Sequence, residues 1–385
     1  MRLLFIHNSA DIYGASRSLL RLLGRLDRAR FEPVVLLPAE GELATWLRAL
    51  PVRVIVFPAL SVITREVFRS WRLPFFLLNI PLSALGLARI VRREKIALVH
   101  TNTGVILSPG PAAWLAGVPH VHHVRDSFLE FRGLWPAYEW YLRIFATRIL
   151  AVSEAIAAQF GDRRKVRVLH NGFDVEEFRL ADPGAGAAFR RAHGIGAAEV
   201  VIGCVGRIKL RRKGQEVLIA AATRLKARGV RARYVIVGSP YQGNEAQLET
   251  LREMVREGGL ETEVIFTGEL PEPKPAYAAM DVLVLPSAQP EPFGGVVMEA
   301  MCMSLPVVAT AIGGSVEQVA DGETGFLVPP ADPDALADRL EMLIQDAALR
   351  QRCGAAGRAR VVERFALTEM VAKLERHYDE ALNAR

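Results

Sequence analysis

In the stretch 281–328, Glu291 and Glu299 stand eight positions apart, the first in a proline- and glycine-rich turn and the second in a helical pattern. A carboxylate accepts hydroxyl hydrogen bonds in pairs. Glu299 therefore suits the vicinal hydroxyls of a ribose, and Glu291 the sugar hydroxyls at the other end of the same molecule. Gly295 lies one helical turn before Glu299 on the same face, where a missing side chain leaves room for a flat ligand group. A second set comes earlier: Arg207 and Lys213, followed by Gly214 and another helical pattern. Fixed cations of this kind stabilise the negative charge that gathers on a diphosphate as a bond to it breaks. A plainer reading stands beside each. Exposed glutamate is the norm on a helix face, and Arg211 and Arg212 make the loop basic in any case.

Strand, turn and helix must carry both sets. Residues 281–285 form a short apolar run suited to a buried parallel strand, and the turn after it ends in Gly294 and Gly295, which open a helix. Residues 200–205 read as a strand leading through the Arg207–Lys213 loop to a helix. In an open α/β sheet ligands sit at such points, where a helix start presents unpaired N–H groups. The order recurs at the amino end. Residues 2–7 are a strand, a loop holding Gly14 follows, and an amphipathic helix then turns Leu19, Leu20, Leu22, Leu23 and Leu26 to one side. Further strands are expected at 31–37, 52–57, 97–100, 120–124, 149–153, 233–238, 264–268 and 307–310, and their alternation with helices means parallel sheets of the α/β class. A chain of 385 residues exceeds what one core usually serves, so two domains are expected, with a boundary near Leu180. Gly14 stands alone before Ala15 and Ser16, with no G-x-G-x-x-G, which counts against a nicotinamide or flavin enzyme.

The stretch 281–328 resembles the signature region of the retaining, family-4 type glycosyltransferases of the GT-B fold. The resemblance is carried by Glu291 and Glu299 in an E-x7-E pattern, EPFGG, EAMCMSLPVVAT, Gly313 and Gly314, Glu317 and DGETGFLV. It implies two Rossmann-like domains with parallel sheets facing across a cleft: an acceptor-side domain at 1–180, a nucleotide-sugar domain at 181–364, and a helix at 365–385 crossing back to the first. It also implies transfer of a sugar from a nucleotide diphosphate sugar with the anomeric configuration kept, without a metal and with no cofactor beyond the donor. Arg207 and Lys213 resemble the family's R-x(n)-K-G diphosphate pair, and Gly14 its glycine near the donor phosphates. VRVLHNGFDVEEF resembles the NG-x-D crossover. Arg125 and Asp126 fall where the family often has His-Asp near the donor sugar. An arginine cannot serve as a general base, so Arg125 would act electrostatically or orient the acceptor. The resemblance thus assigns catalysis to Glu291, Arg207, Lys213, Arg125 and Asp126, and donor binding to Gly14, Arg207, Lys213, Glu291, Phe293, Gly294, Gly295 and Glu299.

The expected acceptor is a glycan or lipid-linked sugar of cell-surface polysaccharide synthesis. A nucleotide-sugar epimerase of the same fold, or a sugar-nucleotide-binding protein without transfer, are the alternatives. Nucleic acid is not an expected partner. Three widely spaced cysteines without a C-x-x-C pair read as small buried hydrophobes of a reducing compartment, hence a cytoplasmic protein. Residues 1–180 hold 24 Lys/Arg against 15 Asp/Glu, a net +9, leaving 24 against 27, a net −3, in the rest. Such a basic half suits an anionic acceptor or membrane surface. The uncharged run 73–88 lies between Arg65, Arg69, Arg72 and Arg89, Arg92, Arg93. It is shorter than the ~20 residues that span a bilayer, leaving a buried core helix or a segment at the membrane interface. Asp332-Pro333-Asp334 looks like a D-x-D metal motif but reads as a helix cap with Pro at its first position.

Overall fold

The computed structural model describes every residue except 13, 64–72, 129–132 and 385, so Tyr13, Arg65, Arg69 and Arg72 lie outside the described residues. The chain forms two compact units, Met1–Gly172 with Leu367–Arg385, and Phe173–Ala366. The change-over falls earlier than the boundary near Leu180. Phe173 donates its N–H to Phe365 O at 2.8 Å and packs on Phe178, which ties the short 3-10 turn Val175–Phe178 into the second unit.

The first unit is a seven-stranded sheet of β1 (Arg2–Ile6), β2 (Glu32–Leu37), β3 (Arg53–Val56), β4 (Leu98–Thr101), β5 (His120–Val124), β6 (Arg148–Ala151) and β7 (Val166–Val168). Its order is β3-β2-β1-β4-β5-β6-β7 with every pairing parallel. Side chains alternate across a strand, so Leu3 and Phe5 enter one core with the helix Gly14–Arg25 and the last helix, Leu367–Asn383. Leu4 and Ile6 enter the other core, with the helices Leu73–Arg93 and Pro109–Ala116. Burial on both faces explains why these strands read as unbroken apolar runs.

The second unit is a six-stranded sheet of β8 (Val201–Val205), β9 (Arg233–Val237), β10 (Val264–Gly268), β11 (Val282–Leu285), β12 (Val307–Thr310) and β13 (Gly325–Val328), in the order β10-β9-β8-β11-β12-β13, again all parallel. In each sheet the chain winds outward in both directions from a central pair, β1/β4 and β8/β11. The loops leaving the carboxyl ends of such a pair part to opposite faces and open a crevice between them. Both units are therefore Rossmann-like α/β sheets.

Several local expectations are altered. The edge strands β7 and β13 carry no strand reading in the sequence. β13 opens at Gly325, whose φ of +146° and close approach to Val307 O demand glycine and make the segment look like a turn. The helix Leu73–Arg93 runs on past residue 88 and contains Pro81. Pro74–Arg93 is long and apolar enough, by length and composition, to cross a membrane, with a mean hydropathy of 1.6. It matches neither sequence alternative throughout. Ala84, Leu87, Ala88, Ile90 and Val91 are buried against the sheet, whereas Leu78 and Leu82 are each 68% exposed. Asp332 is the cap it was read as, accepting the N–H groups of Asp334 and Ala335. All three cysteines are free and buried, and burial pushes the Cys204 thiol up to about 12.

Five histidines, His7, His100, His120, His122 and His123, are buried at the ends and within the strands of the first sheet. Burial excludes the charged form, lowering His7 to about 3 and His120 to about 4, and His100, His122 and His123 well below the ordinary value. In the unfolded chain each takes up a proton near 6.5. Below that pH, and down to the folded values, the unfolded state binds more protons, so stability falls as pH falls. The urea midpoint of the first unit is predicted to decline steadily once the pH drops below about 6.5. A midpoint that holds level down to pH 5 would show that these imidazoles are not held neutral.

Candidate active site

The loop after β8 and the loop after β11 are fastened together at the central crevice of the second sheet. Gly214, with φ +73°, caps the helix Gln215–Ala227, and a Cβ there would collide with Pro286 O at the end of β11. Ala288 N–H donates to Arg212 O at 2.9 Å. Gln215, buried at the helix start, donates its amide to Arg207 O at 3.0 Å and so fixes the other end of the first loop.

Within this frame Lys213 Nζ lies 2.8 Å from Glu291 Oε1, and the Ser287 hydroxyl donates to the same oxygen at 3.2 Å. Both contacts fall on Oε1, leaving Oε2 to face other donors. The Glu291 turn is held by its backbone. Gly314 N–H donates to Glu291 O at 2.8 Å, Thr310 Oγ to Ser287 O at 2.8 Å, and Gln318 Nε2 to Gly294 O at 3.0 Å. Gly313, at φ +62°, passes so close to Glu291 that any Cβ would strike its carbonyl. The GG pair in the sequence is thus the clamp that sets the direction of the Glu291 side chain.

The helix Gly295–Cys302 starts from Gly294 with no side-chain cap. A Cβ on Gly295 would meet nothing within 4 Å, whereas one on Gly294 would crowd Leu285 and Gln318. Glu299, one turn on, accepts the Tyr277 hydroxyl through Oε2 at 2.8 Å. Phe293 is buried and its ring packs edge-on against Phe365. Arg207 is exposed, with its guanidinium 4.9 Å over the Tyr241 ring. The structure brings Lys213 and Glu291 together, places Arg207 on the same loop, and sets Glu299 on the next helix. Tyr277, Ser287 and Gln215, which orient these groups, escaped the sequence reading. Only Gln215 left a signal there, as a polar residue opening an apolar helix.

The first unit gathers a second cluster at its own crevice. Arg125, past the end of β5, donates through Nε to Asn102 Oδ1 at 3.1 Å, through one terminal nitrogen to Ser18 Oγ at 3.1 Å and to Asn171 Oδ1, and through the other to His123 Nδ1 at 3.3 Å. Burial lowers its guanidinium to about 10. Asn102 Nδ2 in turn donates to His7 Nδ1 at 3.1 Å, His7 Nε2 lies 3.0 Å from Ser16 Oγ, and Ser16 donates to Asp11 O at 2.7 Å. This chain sets His7 as the neutral Nε2–H tautomer. Asp126 accepts from Thr103 Oγ at 3.1 Å and Gly104 N at 3.3 Å. Gly14 begins the helix that carries Ser16 and Ser18, and a Cβ on it would meet nothing within 4 Å. Arg125, Asp126 and Gly14 therefore share one strand edge, while His7, Ser18 and Asn102 join them without any spacing signal in the sequence.

Among the described residues no group of three or more His, Cys, Asp or Glu side chains is arranged to hold a metal ion. A hollow of about 870 Å³ lies at the amino edge of the second sheet, away from these loops. Its Lys226 and Arg233 are paired with Glu263 and Glu199.

Comparison with known proteins speaks to the family and the fold. Residues 187–360 match the family Glycosyl transferases group 1, and residues 12–177 match Glycosyltransferase Family 4. The Staphylococcus aureus capsular polysaccharide biosynthesis glycosyltransferase CapM is 30% identical over 316 residues, 78% of this chain and 81% of that protein. A D-inositol 3-phosphate glycosyltransferase of Stackebrandtia nassauensis is 32% identical over 306 residues, 72% of this chain and 67% of that protein. Other curated relatives are matched over about half their length. The Anabaena protein HepE, solved in complex with UDP and glucose, is 26% identical with a TM-score of 0.82, covering 98% of this chain and 99% of that one. With its two parallel Rossmann-like sheets and these matches along nearly its whole length, the chain belongs to the group 1, family 4 glycosyltransferases of the GT-B fold.

Proposed function

We propose that this glycosyltransferase transfers a sugar from a nucleoside diphosphate donor, with retention and without a metal, to a glycan or lipid-linked acceptor of cell-surface polysaccharide synthesis, working from the cytoplasm. The observation that carries the reading is the Lys213–Glu291 pair, 2.8 Å apart where β8 and β11 part and two helices begin without a side-chain cap. A diphosphate laid across those helix starts meets N–H groups, the positive ends of two helix dipoles, Lys213 and Arg207. These fixed positive groups supply the charge stabilisation that a bound cation supplies elsewhere, which supports the metal-independent reading. Glu299, steadied by Tyr277, takes the ribose hydroxyls beside the open space at Gly295. Glu291 turns Oε2 to the hydroxyls of the transferred sugar. Arg125, held by neutral partners, and Asp126, held by the loop after β4, orient the acceptor. CapM, named for capsular polysaccharide biosynthesis, and HepE, solved with UDP and glucose, support the substrate class.

Replacing Lys213 by Ala is predicted to weaken nucleoside diphosphate binding and slow transfer by about 2–4 kcal/mol in total. Calorimetric binding and turnover within about twofold of wild type, under 0.5 kcal/mol, would remove Lys213 from the site. The two glutamates are expected to fail differently: Glu299→Gln raises the donor KM, whereas Glu291→Gln lowers kcat. Variants that melt earlier but keep wild-type kinetics in the folded fraction would make both carboxylates structural. Nucleoside diphosphate should be released only when an acceptor is present. Release without one, or interconversion of the donor sugar, would replace transfer with epimerase or hydrolase chemistry.

A further inference from the structure

The loops that leave β8 and β9 stay joined past the ends of their strands. Gly206 N–H donates to Val237 O at 2.9 Å, Ile208 N–H donates to Ser239 O at 3.0 Å, and Ile208 pairs with Pro240 in a parallel bridge. Gly238, at φ +128°, comes so close that a Cβ on it would strike Gly206 O. Side chains alternate along such an extension of the sheet. Ile208 turns into the core of the second unit, where it is buried, and Arg207 before it turns outward and is exposed.

The loop after β9 makes a held turn where Arg207 reaches it. Asn244 N–H donates to Tyr241 O at 2.8 Å, and Gly243, at φ +83°, takes the positive φ that the third position of such a four-residue turn reserves for glycine. Gly243 N–H donates to Glu245 Oε1 at 2.9 Å, and Pro240 restricts the backbone just before the turn. The Tyr241 ring is thereby set under Arg207, with the guanidinium carbon 4.9 Å from the ring centroid. Tyr241 remains 57% exposed, so it adds little to the core. Its ring face meets the arginine instead.

We infer that Tyr241 is the positioning residue for Arg207, a platform that fixes the guanidinium at the carboxyl edge of the second sheet before a diphosphate arrives. The negative face of the ring attracts the cation and limits the conformations of a long, flexible side chain. The ring itself brings no countercharge. Lys213, farther along the same loop, is held by the Glu291 carboxylate, whereas Arg207 is steadied by an aromatic face. Charge that is already in place when the leaving group gathers its own is the kind that lowers a barrier. The inference rests on the donor reading above, which gives Arg207 the diphosphate. It adds a residue from a different loop that acts through Arg207 and needs no contact with the donor.

The test is titration calorimetry of UDP, GDP and ADP against the full chain, with the tightest-binding of the three carried to Tyr241→Leu, Tyr241→Phe, Arg207→Ala and the double variant of Arg207→Ala with Tyr241→Leu. Melting of each variant is followed by circular dichroism and is expected at the wild-type midpoint. Leucine keeps an apolar side chain without the ring's charge distribution. Tyr241→Leu is therefore expected to weaken diphosphate binding about two- to fivefold, the span of an exposed contact between a cation and a ring, while Tyr241→Phe binds as the wild type does. In the Arg207→Ala background, Tyr241→Leu is expected to change nothing further. An equal loss with and without Arg207 would mean that the ring touches the nucleotide or supports the fold, and it overturns the inference. Tighter binding by Tyr241→Leu, which would mean that the ring holds Arg207 away from the ligand, also overturns it, as does wild-type affinity. So does a Tyr241→Phe variant as weak as Tyr241→Leu. In all of these the donor reading survives, because the wild type binds the diphosphate. A wild type that binds none of the three nucleotides overturns the donor reading and the inference with it.

Discussion

An ammonium and a carboxylate 2.8 Å apart at the mouth of a parallel sheet set the constraint on which the second unit is arranged. Neither Lys213 nor Glu291 lies on a regular element. Each sits on a loop that needs support from outside itself, and the glycines supply it by allowing backbone to press on backbone. Gly214 lets the first loop lie against Pro286, while Gly313 and Gly314 grip the Glu291 turn. Larger residues at these places would push the loops apart and separate the charges. The turn residues are therefore part of the electrostatics, because they fix where a charge stands before any ligand arrives.

The first unit solves the same topological problem with different chemistry. At its central crevice the focal group is one buried guanidinium, surrounded by side-chain amides, hydroxyls and neutral imidazoles. Its hydrogen-bond partners are all neutral, and the nearby Asp126 carboxylate is the charge that most favours its cationic form. Five histidines packed behind it stay uncharged because burial opposes protonation, so they add hydrogen bonds without adding repulsion. One kind of scaffold thus carries a lysine–glutamate pair at one crevice and a buried guanidinium at the other.

Much of this was legible in the residues. Apolar runs spaced by helical patterns announced parallel sheets, and the E-x7-E block with its glycines announced the family, because the signals are local and each has a single physical cause. What escaped were features decided by tertiary contact. The edge strands β7 and β13 are short and begin or sit among polar and glycine residues, so only pairing to a neighbour makes them strands. The packing of the Phe293 ring on Phe365 likewise has no signal in the sequence. Ser18, Asn102 and His7 have no periodicity linking them to Arg125, and the pairing of β1 with β4 and the placing of the helix Gly14–Arg25 bring them together. The helix Leu73–Arg93 posed a choice between core and surface for a run that is both, one half packed and the other exposed. Hydropathy averages over the segment and cannot divide it.

The most direct measurement is the position of the diphosphate in a crystal of the full chain grown with a nucleoside diphosphate sugar. The account predicts phosphate oxygens over the parting of β8 and β11, within hydrogen-bond reach of Lys213 Nζ and of the N–H groups that open the helices after Gly214 and Gly294, with the ribose against Glu299. A diphosphate bound anywhere else, with Lys213 and Glu291 still paired and apart from the ligand, would contradict it.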